Sequence, residues 1–171
     1  MFTRDAHCCY CGHPFAADQP WPRTCAHCRN ISYKNPLPVA VVVVPVDRGL
    51  LVIRRGIQPG FGKLALPGGF IDLGESWQEA GAREVFEETG LRLDPGEIEE
   101  FGVRSAPPGV GVLVVFGLAA KRSSRNLPPF APTEETTERL VLAEPQPLAF
   151  DLHTEAAARF FARKRRRSRT R

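Results

Sequence analysis

The chain has 171 residues, of which 43% are hydrophobic and 25% are charged, and its formal net charge is +4. This length allows one full domain and a small additional unit, and the apolar content is ordinary for a globular protein. The longest apolar run, residues 37–46, is too short to cross a membrane, so we expect no membrane partner.

The first strong pattern is a set of cysteines close to the N-terminus, arranged as two CxxC pairs with thirteen residues between them: Cys8, Cys11, Cys25 and Cys28. This spacing is typical of four-cysteine zinc sites. About 36 residues bury too little apolar surface to fold alone, so a structural metal is expected to stabilise them. The sequence therefore predicts a zinc ribbon over residues 1–36, with Cys9 as a free thiol beside the site.

The redox state of these cysteines depends on the compartment. No charged and then apolar segment precedes them, which argues against a secretory signal. We therefore expect a cytoplasmic protein that keeps its cysteines reduced; a disulfide framework is the alternative. His7, His13 and His27 lie among the cysteines and are alternative metal ligands.

The remaining elements alternate between strand and helix patterns. Residues 35–38 predict an extended linker because they contain two prolines. Residues 39–46 are rich in β-branched side chains and apolar on both faces, which indicates a buried strand. The elements expected after it are a turn at 47–49, strands at 50–55 and 64–66, a loop at 58–63 between them, a helix between Ser76 and Gly90, strands at 97–105 and 111–120, a loop at 121–132, a strand at 138–143 and a helix at 154–163. This order predicts an α+β fold, with helices on both sides of a mixed sheet, in one domain over residues 37–162.

The chain ends in a run of positive charge, since residues 163–171 include seven basic side chains and leave the rest mildly acidic. Such a run is typical of a solvated chain end. We therefore predict a basic, disordered tail over residues 163–171. Contact of this tail with RNA or another acidic partner is an alternative that the sequence leaves open, and so is a homodimer.

The strongest functional signal lies on the predicted helix between Ser76 and Gly90. Glu84, Glu87 and Glu88 fall within about one turn, so their carboxylates share one face. Like charges at this spacing destabilise a helix by about a few tenths of a kcal/mol per pair. A hard divalent cation among the oxygens offsets that cost, and Mg²⁺ is the usual one. The sequence therefore predicts a metal site on this helix.

The ends of this helix are also marked. Ser76 and Glu79 have the spacing of a capping box, and Gly90 supplies a C-terminal stop. Arg83 precedes Glu87 by four residues and is expected to hold its carboxylate in place. The residues predicted to form the buried stripe of the helix are Ala82, Val85, Phe86 and Thr89.

The pattern Gly69, five residues, Glu75, seven residues and then REVFEETGL at 83–91 resembles a complete Nudix box. The resemblance implies a Nudix α/β/α sandwich that hydrolyses a nucleoside diphosphate linked to another moiety, with Mg²⁺ or Mn²⁺. It also implies that the Gly69 carbonyl binds the metal together with Glu84, Glu87 and Glu88. Arg83 would orient a carboxylate, and Glu75 would be mainly structural.

The chemistry agrees with this assignment. A polyanionic pyrophosphate repels an attacking water until cations neutralise its oxygens, and in-line displacement then needs positioning and charge stabilisation. One carboxylate must still accept a proton from the water. In the pyrophosphatases that the chain resembles, a glutamate in the loop before the last strand can be this base. Glu134 fits that place best, Glu135 is expected to matter less, and Glu84 is the alternative.

The resemblance also covers residues 31–36 after the ribbon, and it points to two Nudix subgroups. These are the NADH pyrophosphatases and the plant-type FAD and ADP-ribose pyrophosphatases. RRGIQPG at 54–60 and LAF at 148–150 are closer to the second subgroup, and RSAPPG at 104–109 stands near the place of the SQPW-type motif of the first. The implied substrate is an ADP-ribose, FAD or NADH type compound, cleaved to a nucleoside monophosphate and a phosphorylated second product.

Two other functions remain open: an RNA-end processing hydrolase that removes a dinucleotide-like cap, and a non-catalytic Nudix regulator that binds a ligand. The candidates for base contact are Phe61, Phe101, Phe116 and Phe130, with a core role favoured for Phe116. The candidates for phosphate contact are Arg54, Arg55 and Lys63. His153 is expected to be an exposed residue at the start of the last helix.

Overall fold

The computed structural model describes the backbone of residues 5–169 and the side chains of residues 5–163. The chain divides into two compact units, and the division falls between Pro36 and Leu37. In the first unit, strands β1 (Arg23–Thr24) and β2 (Ile31–Ser32) form a small antiparallel sheet. One cysteine pair precedes β1 and the other lies between β1 and β2, and Cys8 and Cys25 are buried.

The second unit is an α+β domain whose strands form two four-stranded sheets. In chain order the strands are β3 (Leu37–Val43), β4 (Pro45–Val46), β5 (Gly49–Arg55), β6 (Leu64–Ala65), β7 (Gly68–Phe70), β8 (Glu99–Ser105), β9 (Val112–Leu118) and β10 (Thr136–Leu142). One sheet has the order β7-β3-β9-β8 and is mixed, because β3 pairs with β9 in parallel and with β7 antiparallel. In the other sheet, β10, β4 and β6 all pair with β5 in the antiparallel direction.

The two helices are α1 (Trp77–Thr89) and α2 (Asp151–Arg169). Successive side chains of a strand point to opposite faces, and alternate valines accordingly enter two separate hydrophobic clusters. Val41 packs with Phe161 of α2 in one cluster, while Val42 packs with Val85 of α1 in the other. The prediction of helices on both sides of a mixed sheet is therefore confirmed.

Both ends of α1 lie where the sequence predicts them. Ser76 accepts a hydrogen bond from the Glu79 amide, and the Glu79 carboxylate accepts one from the Ser76 amide, which completes the capping box. Gly90 ends the helix with a left-handed φ of 73°. The predicted stripe is wrong at one position, because Phe86 is 39% exposed. Its ring lies under the Arg92 guanidinium, whose carbon is 4.1 Å from the ring centroid.

Helix α2 differs most from the prediction. It begins at Asp151 rather than 154 and continues to Arg169, whereas we expected helix only to residue 163 and a disordered tail after it. At the start of the predicted basic tail, the Arg163 guanidinium carbon lies 4.8 Å from the centroid of the Phe101 ring. The side chains from residue 164 onwards and the last two residues lie outside the described residues. Among the described residues, no helix is both long enough and apolar enough to cross a membrane.

Candidate functional site

The two glycines of β7 lie directly against the acidic face of α1. A Cβ atom on Gly69 would come within 2.5 Å of the Glu84 carboxyl carbon, so a larger residue at this position would displace the Glu84 carboxyl group. Gly68 has a φ of +153° and donates its amide to Glu88 Oε2 at 2.9 Å. The close approach of β7 to the Glu84 carboxyl group therefore depends on Gly69, whereas a Cβ on Gly68 would meet the Ala40 carbonyl of β3.

Arg83 connects the carboxylates of this region. Its Nη1 lies 2.7 Å from Glu84 Oε1 and 3.2 Å from Glu87 Oε2, which confirms the predicted contact with Glu87. Its Nη2 lies 2.8 Å from Glu75 Oε1 and donates to the Phe70 carbonyl at 3.0 Å. The hydrogen bond from Arg83 is also the main cause that lowers the pKa of Glu75. One guanidinium thus fixes β7, the following turn and α1 relative to one another.

Glu88 is the most buried of the three box carboxylates, with 7% of its surface exposed. Burial raises its pKa to about 8, because a carboxylate loses its hydration there. The charges of Glu84 and Glu135 act in the same direction, while the Gly68 amide and Arg55 act against it. Burial also raises the pKa of Glu84, and Arg83 partly opposes this. The face of α1 therefore holds more negative charge than its surroundings balance.

The backbone of the loop before β10 is joined to the end of β5. The Gly56 amide at the end of β5 donates to the Glu135 carbonyl at 2.7 Å, and Thr136 pairs with Arg55 across the two strands. Glu135 is the loop carboxylate whose charge raises the pKa of both Glu84 and Glu88. Glu134 and Glu135 are both exposed, and the catalytic role predicted for Glu134 stays a prediction.

Of the three cations predicted to meet phosphate, Arg54 is already paired, with Glu138 Oε2 at 2.8 Å and the Gly62 carbonyl at 2.8 Å. Lys63 is exposed. Arg55 is held by its Nε, which donates to the Pro59 carbonyl at 2.7 Å, and by the Phe150 ring, 5.3 Å from its guanidinium carbon. Since its charge acts on Glu88, Arg55 is the candidate that faces the carboxylates.

The aromatic candidates divide between core and surface. Phe101 and Phe116 are buried in the cluster beneath α2, whereas Phe61 is 62% exposed. Phe130 is half-buried, with the Arg139 guanidinium 5.5 Å from its ring centroid. The side chains that remain available for contact with a base are therefore Phe61 and Phe130.

The prediction that His153 is exposed at a helix start is wrong. Its ring is buried, its Nδ1 accepts a hydrogen bond from the Leu66 amide at 3.2 Å, and it packs edge-on against Phe116 and Phe150. Burial lowers its pKa to about 3, so the ring is neutral and structural. In a sequence, a histidine on the buried face of a helix and an exposed histidine at a helix start have the same local pattern. The residues around His153 therefore do not distinguish the two.

In the ribbon unit, the four predicted cysteines come together, with their sulfur atoms within 4.8 Å of one another. The Sγ–Sγ distances are 3.7 Å for Cys8 and Cys28 and 3.7 Å for Cys11 and Cys25. Four sulfurs at about 2.3 Å from a tetrahedral zinc are about 3.8 Å apart, so the cluster has the size of a zinc site.

The thiols of the cluster do not all shift in the same direction. A backbone hydrogen bond from His13 acts to lower the pKa of Cys11, but burial and the neighbouring side chains of Cys28, Cys25 and Cys8 outweigh it and raise the pKa to about 12. Burial acts to raise the pKa of the Cys8 thiol, but hydrogen bonds from the Tyr10 and Cys11 amides outweigh it and lower the pKa to about 6. The Cys28 amide lowers the pKa of Cys25 in the same way. Among the described residues the cluster contains cysteines alone, so the histidine alternatives are not ligands in this arrangement.

The remaining ribbon side chains lie beside the cluster rather than in it. His13 and His27 stack on each other with ring centroids 5.4 Å apart. Cys9 is exposed and unpaired with another cysteine, and its Sγ lies 3.3 Å from Ser32 Oγ.

Among the described residues, the three box carboxylates do not lie as close together as the four cysteine sulfurs, which are near enough to one another to bind one ion. Arg83 draws Glu84 and Glu87 to one side, while Glu88 bonds to the Gly68 amide. The donor set nevertheless fits a hard cation, because it consists of carboxylate oxygens with excess negative charge.

Comparison with known proteins identifies relatives of the chain. The family model of the NUDIX domain matches residues 36–163. The NAD-capped RNA hydrolase NudC of Edwardsiella ictaluri is 37% identical over 94 residues, which cover 54% of this chain and 36% of that protein. The chain thus spans about a third of the length of the curated relatives that it matches.

Solved structures share the fold. The NUDIX hydrolase of Nitrosomonas europaea superposes with a TM-score of 0.76 at 25% identity and covers 94% of this chain and 92% of its own. A bifunctional NMN adenylyltransferase/ADP ribose pyrophosphatase of Francisella tularensis superposes with a TM-score of 0.56 at 25% identity, over 65% of this chain and 34% of its own.

Proposed function

The chain belongs to the Nudix family, and from this membership we propose that it hydrolyses the pyrophosphate bond of a nucleoside diphosphate derivative. The proposed substrates are of the ADP-ribose, FAD or NADH type, and the products are a nucleoside monophosphate and a phosphorylated second product. The observation that carries the proposal is the contact of Glu84 and Glu88 with the glycines of β7, organised by Arg83.

We assign the binding of Mg²⁺ or Mn²⁺ to Glu84, Glu87, Glu88 and the Gly69 carbonyl. The support for this assignment is electrostatic, since burial and like charges raise the pKa of both Glu84 and Glu88. A bound cation favours the ionised form of a nearby carboxylate, so it would remove the cost of holding these groups together. When bound, the metal would neutralise phosphate oxygens and make water a better nucleophile.

Arg83 acts in this proposal as the positioning residue for the metal ligands. It holds Glu84 and Glu87 from one side and is itself fixed by Glu75 and the Phe70 carbonyl. Residues that orient ligands typically affect metal affinity by about 10- to 100-fold. Glu75 therefore contributes to the site through Arg83.

Arg55 is the residue that we assign to the substrate pyrophosphate. It faces the carboxylates at the end of β5, and it is held in place by the Pro59 carbonyl and the Phe150 ring. Its neighbour Arg54 is neutralised by Glu138 and offers a matched control. We expect Arg55→Gln to raise KM for the substrate more than Arg54→Gln does, since only the first removes a free positive charge from the site.

The proton acceptor for the attacking water is assigned to the loop before β10. The sequence favours Glu134, but the charge interaction with Glu84 and Glu88 favours Glu135. The hydrogen bond from Gly56 holds the Glu135 backbone beside the end of β5. A positioned general base is worth about 10²- to 10⁴-fold in rate.

The two loop carboxylates form a matched pair for an experiment. Glu135→Gln should lower turnover by about a hundredfold, with metal affinity nearly unchanged, while Glu134→Gln should stay close to wild type. A large loss of turnover in Glu134→Gln, with little change in Glu135→Gln, would instead assign the base to Glu134. If neither substitution changes turnover, the base is Glu84 or another residue.

Zinc in the ribbon is assigned a structural role. Four thiolate ligands leave no open position for substrate or water, and 3.7 Å sulfur separations match the size of that site. We propose that the protein works in the reducing cytoplasm, where cysteines bind metal rather than pair with one another.

A second candidate substrate is RNA with a nucleotide cap, and one observation favours it. The relative with 37% identity is an NAD-capped RNA hydrolase. The matched segment covers only about a third of that protein, so membership of the family does not assign the substrate of that relative to this chain. A purely regulatory, non-catalytic role is disfavoured because the carboxylates of the box and their Arg83 contacts are complete.

A substrate screen with an inactivated control tests the proposal. Wild type and Glu84→Gln are incubated with ADP-ribose, FAD, NADH and NAD-capped RNA in the presence of Mg²⁺ or Mn²⁺. We expect wild type to release a nucleoside monophosphate from at least one of them, and Glu84→Gln to be strongly impaired on the same compound. Capped RNA cleaved in strong preference to the three small compounds would favour the second candidate.

A further inference from the structure

A basic cavity lies beyond the C-terminal end of α1, on residues that the proposed hydrolysis does not use. Its volume is about 630 Å³, and its lining includes Arg92, Lys121, Arg122, Ser123 and Asn126. None of its lining residues is acidic. We propose that this basic cavity binds a phosphate group of a nucleotide or RNA ligand, at a place separate from the box carboxylates.

The positions of the cations are fixed by the fold. The backbone of Arg122 donates to the Pro45 carbonyl at 2.8 Å and accepts from the Asp47 amide at 2.9 Å, which ties this segment to β4. Arg92 is stacked on the ring of Phe86. Cations that are held in place lose less conformational freedom when they bind an anion.

The cations are also only partly satisfied by the protein. Arg122 Nε is buried without a hydrogen-bond partner within the described part of the chain, and its Nη2 reaches Glu97 Oε2 only at 3.5 Å. A buried donor without a partner is costly, and a phosphate oxygen is an acceptor that suits a guanidinium. The exposed part of the Arg122 guanidinium is the part that a phosphate in the cavity would meet.

The carbonyl at the C-terminal end of α1 is bound by an arginine that does not line the basic cavity. Its last carbonyl, that of Thr89, accepts from Arg139 Nη1, and Arg139 Nη2 donates to the Pro128 carbonyl at 2.7 Å. Asp47 accepts from the Ser124 amide at 3.2 Å, and the charge of Lys121 also acts on it. Three positive charges therefore lie near two acids, Glu97 and Asp47, neither of which lines the cavity.

The chain from the basic cavity leads directly to the candidate active site. Pro128 lines the cavity, the next residues pass over Gly90, and the segment continues to Glu135. Seven residues span at most about 25 Å even when fully extended. The basic cavity therefore lies within about 25 Å of Glu135 along this segment, a separation that suits the phosphate of a separate nucleotide or of an RNA chain.

Binding measurements can test this site without depending on catalysis. The probes are AMP and a short single-stranded RNA with a 5′-hydroxyl end, neither of which contains a pyrophosphate bond, in buffer without added Mg²⁺. The test protein carries Arg92→Gln and Lys121→Gln, and the matched control carries the charge-conserving changes Arg92→Lys and Lys121→Arg. Arg122 is kept because its guanidinium is partly buried.

We expect the Gln variant to bind at least one probe about tenfold more weakly at low salt, while the charge-conserving control binds like wild type. For RNA, the slope of log affinity against log salt should fall by about 1.4, at about 0.7 for each lost phosphate contact. Weaker binding of AMP identifies a nucleotide phosphate as the ligand, and weaker binding of RNA alone identifies backbone phosphates. Equal affinities of wild type and the Gln variant for both probes would overturn the proposal, whether or not the enzyme hydrolyses dinucleotides.

Discussion

The replacement Glu88→Gln should remove activity and at the same time stabilise the metal-free fold at alkaline pH. Burial raises the pKa of Glu88 to about 8, and the charges of Glu84 and Glu135 act in the same direction. In the folded chain this carboxyl therefore keeps its proton at pH values where the unfolded chain has released it. A glutamine is uncharged at all pH values and keeps an oxygen that can accept from the Gly68 amide.

The size of the effect follows from the two pKa values. The unfolded carboxyl has an ordinary pKa of 4.5 and the folded one a pKa of about 8. At about 1.4 kcal/mol for each pKa unit, their separation corresponds to about 5 kcal/mol. Below the unfolded pKa the carboxyl is protonated in both states and does not lower the free energy of unfolding. As the pH rises from about 4.5 to about 8, the free energy of unfolding of the wild type falls by this amount. Relaxation of the site makes this figure an upper bound.

Urea unfolding of wild type and Glu88→Gln without Mg²⁺ measures the difference. We expect similar unfolding free energies near pH 4.5 and an advantage of a few kcal/mol for the variant above about pH 8. Glu87→Gln is the matched control, because the Glu87 side chain is 54% exposed and its charge is solvated. Parallel stability curves for wild type and Glu88→Gln across this pH range would refute the argument from burial.

Three further substitutions test other parts of the account. Gly69→Ala places a Cβ into the Glu84 carboxyl group, and we expect at least a tenfold loss of activity, at about 1.4 kcal/mol per decade, in a kinetic assay at saturating Mg²⁺. Arg83→Lys keeps the charge but loses the planar fork, so the Mg²⁺ concentration for half-maximal activity should rise about 10- to 100-fold. Cys25→Ser should lower the zinc content from near one per chain to near zero by metal analysis, while Cys9→Ser leaves it unchanged.

The local features of α1 are those that the sequence predicts best. The capping box at Ser76 and Glu79 and the left-handed Gly90 depend on contacts within a few residues, so residue identity and spacing define them. The four cysteines are similar, because two short pairs and one metal leave few possible arrangements.

The wrong predictions concern side chains whose surroundings come from distant parts of the chain. Phe86 has the helical spacing of a core residue, yet it is covered only by Arg92 from the segment after the helix. His153 is buried because Leu66, far away in sequence, offers its amide. Helix periodicity alone contains neither contact.

The site residues outside α1 show the same limit. Arg54 and Arg55 are adjacent and chemically identical, and only the pairing of β5 with β10 places Glu138 beside Arg54. Glu134 and Glu135 are adjacent glutamates, and the Gly56 hydrogen bond fixes the loop that presents them. Strand register, which the sequence does not specify locally, therefore decides which member of each pair faces the carboxylates.

The central claim is that the Glu84 and Glu88 face of α1 supports metal-dependent attack of water on a pyrophosphate. Mass spectrometry of products formed in ¹⁸O-labelled water tests it most directly, with wild type and Glu88→Gln acting on ADP-ribose, FAD, NADH and NAD-capped RNA. The account predicts one ¹⁸O in a monophosphate product, formed only with Mg²⁺ or Mn²⁺ and about a hundredfold more slowly by Glu88→Gln. The absence of hydrolysis of all four compounds with either metal, or equal rates for the two proteins, would contradict it.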